Sequence, residues 1–150
     1  MIEKISTVNR EVISRLVELE REAFGSGGMN EWHLVPFVRH GRVFASRREG
    51  IIVGSIQYML DWDDTKKAYL VGVSVCRKWQ GKGVGTELLA ESFRQLAQHG
   101  IKEVELTVDP ANTGAVKLYE AKLGFVAAEF RKAEYGEGQD RLVMKCILPG

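Results

Sequence analysis

Gln80-Gly81-Lys82-Gly83-Val84-Gly85-Thr86 lies between an apolar run and an amphipathic stretch, and its reading decides the fold. Its three glycines alternate with other residues, so the backbone can turn tightly and approach a ligand without interference from Cβ atoms. Upstream, Tyr69 to Cys76 is an apolar run typical of a central strand. Downstream, Val84, Leu88, Leu89, Phe93 and Leu96 recur at helical spacing, with Gly100 as the C′ residue. A helix starting at the turn aims its free N–H groups and the positive end of its dipole back at the glycines. That arrangement predicts a phosphate or pyrophosphate ligand.

Working outward, Ile2 to Thr7 reads as a first strand. A helix follows from an Asn9 N-cap, with Val12, Ile13, Leu16, Val17 and Phe24 apolar and Gly25 closing it. Asn30 to His40 predicts a second helix, interrupted at Pro36 and ended by Gly41. Val43 to Ser46 and Ile51 to Met59 predict antiparallel strands joined at Arg48-Glu49-Gly50, and the acidic loop Asp61-Trp62-Asp63-Asp64 leads into the strand before the turn. Past Gly100, Val104, Leu106 and Val108 alternate with Glu103, Glu105 and Thr107, as in a strand buried on one face. Asn112 opens a helix that runs through Tyr119 and ends near Gly124. Strands Val126 to Glu134 and Arg141 to Leu148 flank Gly136-Glu137-Gly138-Gln139. The order β-α-α-β-β-β-α-β-α-β-β is that of an α/β chain with a mixed sheet, in one domain covering 1–150.

Bulk properties narrow the function. A chain of 150 residues, 45% hydrophobic and 27% charged, predicts one globular domain with a proper core. A net charge of +1 argues against nucleic acid as the main partner. No apolar run is long enough for a membrane span, and Met1-Ile2-Glu3-Lys4 lacks a signal-peptide layout, so a cytoplasmic location is expected. Cys76 and Cys146 are too few and too isolated for a disulfide framework or a zinc site, and read as buried thiols.

Three motif classes compete for the glycine turn. A Walker A loop needs Lys-Ser/Thr at its end, whereas Lys82 lies inside the run and Gly85-Thr86 ends it. A dinucleotide fingerprint needs a third glycine after two intervening residues, and Gly83-Val84-Gly85-Thr86-Glu87-Leu88 has none. The pattern Gln/Arg-x-x-Gly-x-Gly/Ala does match. Together with Val73-Ser74-Val75 before it and Asn112, Ala115, Leu118-Tyr119 and Leu123-Gly124-Phe125 after it, the chain resembles the GNAT superfamily of acetyl-CoA-dependent N-acetyltransferases. The likeness covers nearly the whole chain and is weakest from Phe24 to His40.

The resemblance implies a mixed, mainly antiparallel sheet with its fourth and fifth strands splayed around the cofactor. It implies acetyl-CoA as co-substrate and no metal. The backbone of Gln80, Gly81, Lys82, Gly83, Val84, Gly85 and Thr86 takes the CoA pyrophosphate, with Lys82 and Thr86 adding a charge and a hydroxyl. Val73 and Val75 offer backbone groups to the pantetheine arm and the thioester carbonyl, as a bulge permits. Asn112 contacts CoA, caps its helix, or does both. Tyr119 matches the general acid that protonates the leaving thiolate. The partners implied are acetyl-CoA and an amine, and a homodimer is left open. Cys76 as a covalent acetyl carrier is disfavoured, since it lies beyond the thioester position and has no clear His partner.

The base departs from the pattern. Many relatives carry a glutamate on the fourth strand where Tyr69 stands. Ribosomal-protein N-terminal acetyltransferases usually carry one on the fifth strand, five residues before the asparagine, where Thr107 stands. Asp61, with Asp63 and Asp64 beside it, is the first candidate to accept the amine's proton. Glu20 and Glu22 come next, and a backbone-and-water relay is a further option. Acceptor recognition is expected from Phe24 to Phe37, the Asp61 loop and Tyr135 to Asp140. Trp32, Phe37, Trp62 and Tyr135 would form a partly aromatic wall suited to a cation with an apolar stem. The absent glutamate also prompts an alternative, a catalytically silent CoA-binding regulatory module.

Overall fold

The computed structural model describes residues 1–149 and forms two compact units. The first comprises Met1–Met59 and Leu70–Leu96, the second Leu60–Tyr69 and Ala97–Gly150. The elements are β1 (Ile2–Lys4), α1 (Arg10–Phe24), α2 (Glu31–His40), β2 (Arg42–Arg48), β3 (Ile51–Leu60), β4 (Lys67–Val75), α3 (Val84–Gln98), β5 (Glu103–Val108), α4 (Thr113–Leu123), β6 (Val126–Arg131) and β7 (Arg141–Ile147). Strand order is β1-β2-β3-β4-β5-β7-β6. The β4–β5 pair is parallel, and the ladders β1–β2, β2–β3, β5–β7 and β6–β7 are antiparallel. The expected element order and the mixed, mainly antiparallel α/β sheet are therefore present.

In the first unit, Asn9 Oδ1 accepts from the N–H groups of Glu11 and Val12, and Gly25 at φ +61° ends α1. Leu16 and Leu19 of α1 and Leu34 of α2 are buried, as are consecutive residues of β2 (Val43 to Ser46) and of β3 (Ile52 to Tyr58). Burial of consecutive residues means that both faces of these strands are covered. On β3, Gly54 is where α3 approaches: a Cβ there would stand 2.9 Å from Val84 and 3.0 Å from Leu88. Tyr58 reaches Ser92 of α3 through a buried 2.7 Å hydrogen bond. Helix α2 runs through Pro36 instead of breaking there. Proline removes a single helix donor, and the buried Leu34 and Val38 on either side outweigh that loss.

In the second unit, β5 pairs with β7 along its full length, while its parallel ladder with β4 covers only Lys67 to Tyr69. The two strands part after the Tyr69–Glu105 rung, which is the expected splay. Helix α4 ends on Gly124 in the left-handed conformation, and Cys146 donates to the Leu123 carbonyl there at 3.4 Å. β6 ends at Arg131, short of the expected Glu134, because Ala133 takes a positive φ and its N–H is capped by Asp140. β1 likewise stops at Lys4, before Thr7, as the chain turns to the Asn9 cap.

Candidate active site

The glycine turn begins where β4 ends. Gln80 Nε2 donates back to the Val75 carbonyl at 3.1 Å, satisfying the last carbonyl of the strand and tying down the start of the turn. Gly81 and Gly83 adopt φ values of +75° and +85°, a region L side chains rarely enter, and nothing lies within 4 Å of where their Cβ atoms would stand. The first helical hydrogen bond runs from Glu87 N to Gly83 O, so the amides of Val84, Gly85 and Thr86 precede the intrahelical ladder. Gln80 to Gly83 and Thr86 are exposed. The result is an open cradle of backbone donors at the positive end of α3, fit for an anion. Trp79, just before the turn in sequence, has Lys82 Nζ 5.3 Å and Arg48 5.7 Å from its ring centre. Arg48 is also bound to Glu87 of α3 at 2.6 Å.

β4 departs from an ordinary central strand. Ala68, Leu70 and Ser74 are buried, but Tyr69, Val71, Val73 and Val75 stay partly exposed along the other face. Val73 and Val75 thus line an open side of the strand that leads into the turn.

Still in the first unit, Glu20 is 2% exposed. Its Oε1 accepts from Met29 N at 3.0 Å, its Oε2 has no hydrogen-bond partner among the described residues, and burial raises its pKa. The carboxylate clamps the α1–α2 loop, and Gly28 packs so closely on the Glu20 backbone that a Cβ would come within 2.6 Å of its carbonyl oxygen. Glu22 is a turn anchor too, accepting from Arg77 N.

In the second unit, Asn112 is the N-cap of α4, its Oδ1 accepting from Ala115 N at 3.2 Å. Tyr119 stacks edge-on against Phe125 at 5.5 Å, and its hydroxyl has no protein partner among the described residues. Burial pushes its phenol above the ordinary value, so it keeps its proton at neutral pH. Asp61 caps its own loop. Its carboxylate accepts from the N–H groups of Asp63 and Asp64 at 2.9 and 3.0 Å and lies 3.6 Å from Lys67 Nζ. The Asp63 hydrogen bond, with Asp64 and Lys67, holds its pKa below the usual range. Trp32 is 82% and Trp62 96% exposed.

Sequence reasoning missed a polar group on the strands. Lys67 and Tyr69 share a face of β4, and Glu105 and Thr107 share the neighbouring face of β5. Glu105, read as solvent-facing, is buried and bonded to Lys67 at 2.9 Å, with Lys145 at 3.9 Å. Tyr69 Oη lies 3.1 Å from Thr107 Oγ1. The period-two alternation of polar residues on these strands was the available signal.

The GNAT acetyltransferase family model matches residues 11–125. The chain belongs to this acetyltransferase family. Among sequence relatives, an N-alpha-acetyltransferase MAK3 of Arabidopsis thaliana is 29% identical over 107 residues, 71% of this chain and 56% of that protein. The match thus spans little more than half of the relative. Among solved structures, the ribosomal-protein-S18-alanine N-acetyltransferase of Escherichia coli superposes with a TM-score of 0.82 at 21% identity, covering 100% of this chain and 96% of that one. An aminoglycoside 6′-N-acetyltransferase complexed with coenzyme A gives 0.83 at 15% identity, covering 100% and 98%. At these identities the structural likeness speaks for the GNAT fold. No helix among the described residues is long and apolar enough to cross a membrane.

Proposed function

We propose that residues 1–150 act as one N-acetyltransferase domain that moves an acetyl group from acetyl-CoA to a primary amine by direct attack in a ternary complex. The observation that carries this reading is the turn, where two positive-φ glycines stand open before the first free amides of α3. These groups fit a pyrophosphate, with Lys82 and Thr86 at the rim. The partly exposed Val73 and Val75 offer backbone groups for a pantetheine arm and a polarised carbonyl. Asn112 contributes a side-chain amide at the start of α4. Bound acetyl-CoA supplies an activated thioester, and Tyr119 Oη carries a proton available to the leaving thiolate.

The acceptor we favour is the α-amine of a peptide or protein, in keeping with the name of the Arabidopsis relative. The test measures CoA release by the wild-type protein and by Tyr119→Phe. Acceptors are peptides with free N-termini, an N-blocked lysine peptide and a polyamine. Turnover on free N-termini, reduced in the variant, supports the reading. Binding of acetyl-CoA without turnover on any amine refutes it in favour of a silent CoA-binding module.

A further inference from the structure

We propose that a cavity beside the glycine turn is a second ligand site, which takes a small organic carboxylic acid and thereby weakens CoA binding. The site stands on its own geometry, and only its link to CoA rests on the acetyl-transfer reading.

The cavity has a volume of about 530 Å³ and lies within the first unit. It is formed by α1, the β2–β3 turn, β3 and the short segment after β4. Glu49 and Gly50 take φ values of +54° and +78°, so the hairpin reverses tightly and Arg48 pairs with Ile51 as its last rung. Both residues of that rung line the cavity. Cys76 N donates to the Val53 carbonyl at 2.8 Å, which holds the Arg77–Trp79 segment beside β3. The cavity is therefore on the β3 side of β4, whereas the splay is on the β5 side. Its lining stops at Trp79, before the turn begins.

The floor is apolar and the rim is basic. Val53 and Cys76 are buried, while Ile51 and Trp79 keep part of their apolar surface open. Four cations line the cavity, Arg15, Arg48, Arg77 and Lys78, against the carboxylates Glu22 and Glu49. Several of these are engaged. Arg15 holds the Ile52 carbonyl and Glu18, one Arg48 nitrogen holds Glu87, and Glu22 accepts from Arg77 N. The Arg77 guanidinium and the Lys78 ammonium have no ion pair among the described residues, and the buried Arg48 Nε–H has no acceptor there. A buried donor without an acceptor is rare in a folded protein and marks a place for a ligand or a water. An ionised carboxylate supplies the missing acceptors, and the apolar floor suits an aromatic or branched body behind it. Glu49, unpaired at the rim, weighs against a doubly charged phosphate ester.

Two side chains carry the link to the turn. Arg48 binds Glu87 in the first turn of α3 at 2.6 Å, and Arg48 and Lys82 both lie over the Trp79 ring. A carboxylate held by Arg48 adds negative charge beside the cations that attract the CoA phosphates, so the two ligands oppose each other. By linkage, each weakens the other by the same factor.

The experiment titrates the wild-type protein with phenylacetate and follows methyl and indole NMR signals. Phenylacetamide serves as the uncharged isostere and phenyl phosphate as the dianion. Phenylacetate is expected to bind with a Kd on the order of 1 mM, shifting Ile51, Val53 and the Trp79 indole. The amide should bind about 10-fold more weakly, since it lacks the charged acceptor. The double variant Arg77→Gln/Lys78→Gln should lose the shifts, as should Ile51→Glu, which sets a carboxylate on a floor position that is 55% exposed. Melts close to wild type show that both variants fold, and either one carries the test if the other does not. Calorimetry with CoA should show affinity falling by about 5-fold or more when phenylacetate saturates the wild type, with no such fall in Ile51→Glu. No shifts at about 10 mM phenylacetate, equal binding of the amide, or tighter binding of phenyl phosphate overturns the assignment of the site. CoA affinity indifferent to phenylacetate overturns the link. Strict competition with no ternary complex overturns the second site itself, since the cavity then belongs to the CoA site. A wild type that binds phenylacetate but no CoA overturns the acetyl-transfer reading and leaves the acid site standing.

Discussion

Replacing Gly83 by alanine separates the cofactor role of the turn from its geometry. Gly83 sits at φ +85° with open space where a Cβ would go, so the substitution meets no steric clash and its cost is backbone strain. An L residue in the left-handed region costs about 1–2 kcal/mol. In a chain of 150 residues that lowers Tm by roughly 2–8 °C, at about 2–4 °C per kcal/mol. Gly100, after α3, is a matched control: its φ is +88°, nothing lies within 4 Å of its Cβ position, and no ligand is assigned to it. Gly100→Ala should therefore cost similar stability.

The two variants part company in binding. In Gly83→Ala the new methyl enters the anion cradle, and any relaxation toward negative φ swings the Val84 amide away from the ligand. Losing one hydrogen bond to a charged group, about 1.5–3 kcal/mol, weakens CoA binding by roughly 10- to 100-fold. Gly100→Ala should stay within about threefold of wild type, since its strain is remote from any such bond. Calorimetric titration with CoA, beside thermal melts of each protein, reads both numbers. Equal CoA affinities for the two variants would refute the assignment of the turn to the pyrophosphate.

Tyr119→Phe is expected to lower kcat by about 10²-fold while leaving acetyl-CoA affinity intact, because the hydroxyl removed has no protein partner among the described residues; steady-state kinetics with direct binding checks this. Glu20→Gln tests the buried clamp. Burial raises the Glu20 pKa, so its contribution is most favourable below the unfolded value of 4.5 and is lost as pH rises through the folded one. Melts of the two proteins should nearly coincide at acid pH and diverge in favour of the variant toward pH 8, since glutamine keeps an acceptor for Met29. Tyr58→Phe deletes the buried 2.7 Å bond to Ser92 and should cost about 1 kcal/mol, seen as a Tm drop of roughly 2–4 °C.

The sequence by itself determined the element order and the place of the turn, because both rest on local physics. Asn9, Asn30 and Asn112 cap helices wherever the chain puts them, Gly25, Gly100 and Gly124 end them, and alternating glycines make a tight turn before a helix N-terminus. Where local signals competed with packing, they misled. Pro36 signalled a break, but buried Leu34 and Val38 carried α2 through it. The site beyond the turn was legible only in part, since a carboxylate's role depends on what surrounds it. Asp61 is held by its own turn donors and Lys67, partners the sequence did not show, and Glu105 looked like surface until Lys67 and Lys145 closed over it. The pairing of Tyr69 with Thr107 joins residues 38 positions apart and depends on β4 and β5 lying in parallel up to the rung where they part. Only the tertiary structure decides such register-dependent contacts, because a one-residue slip would send each side chain to the opposite face.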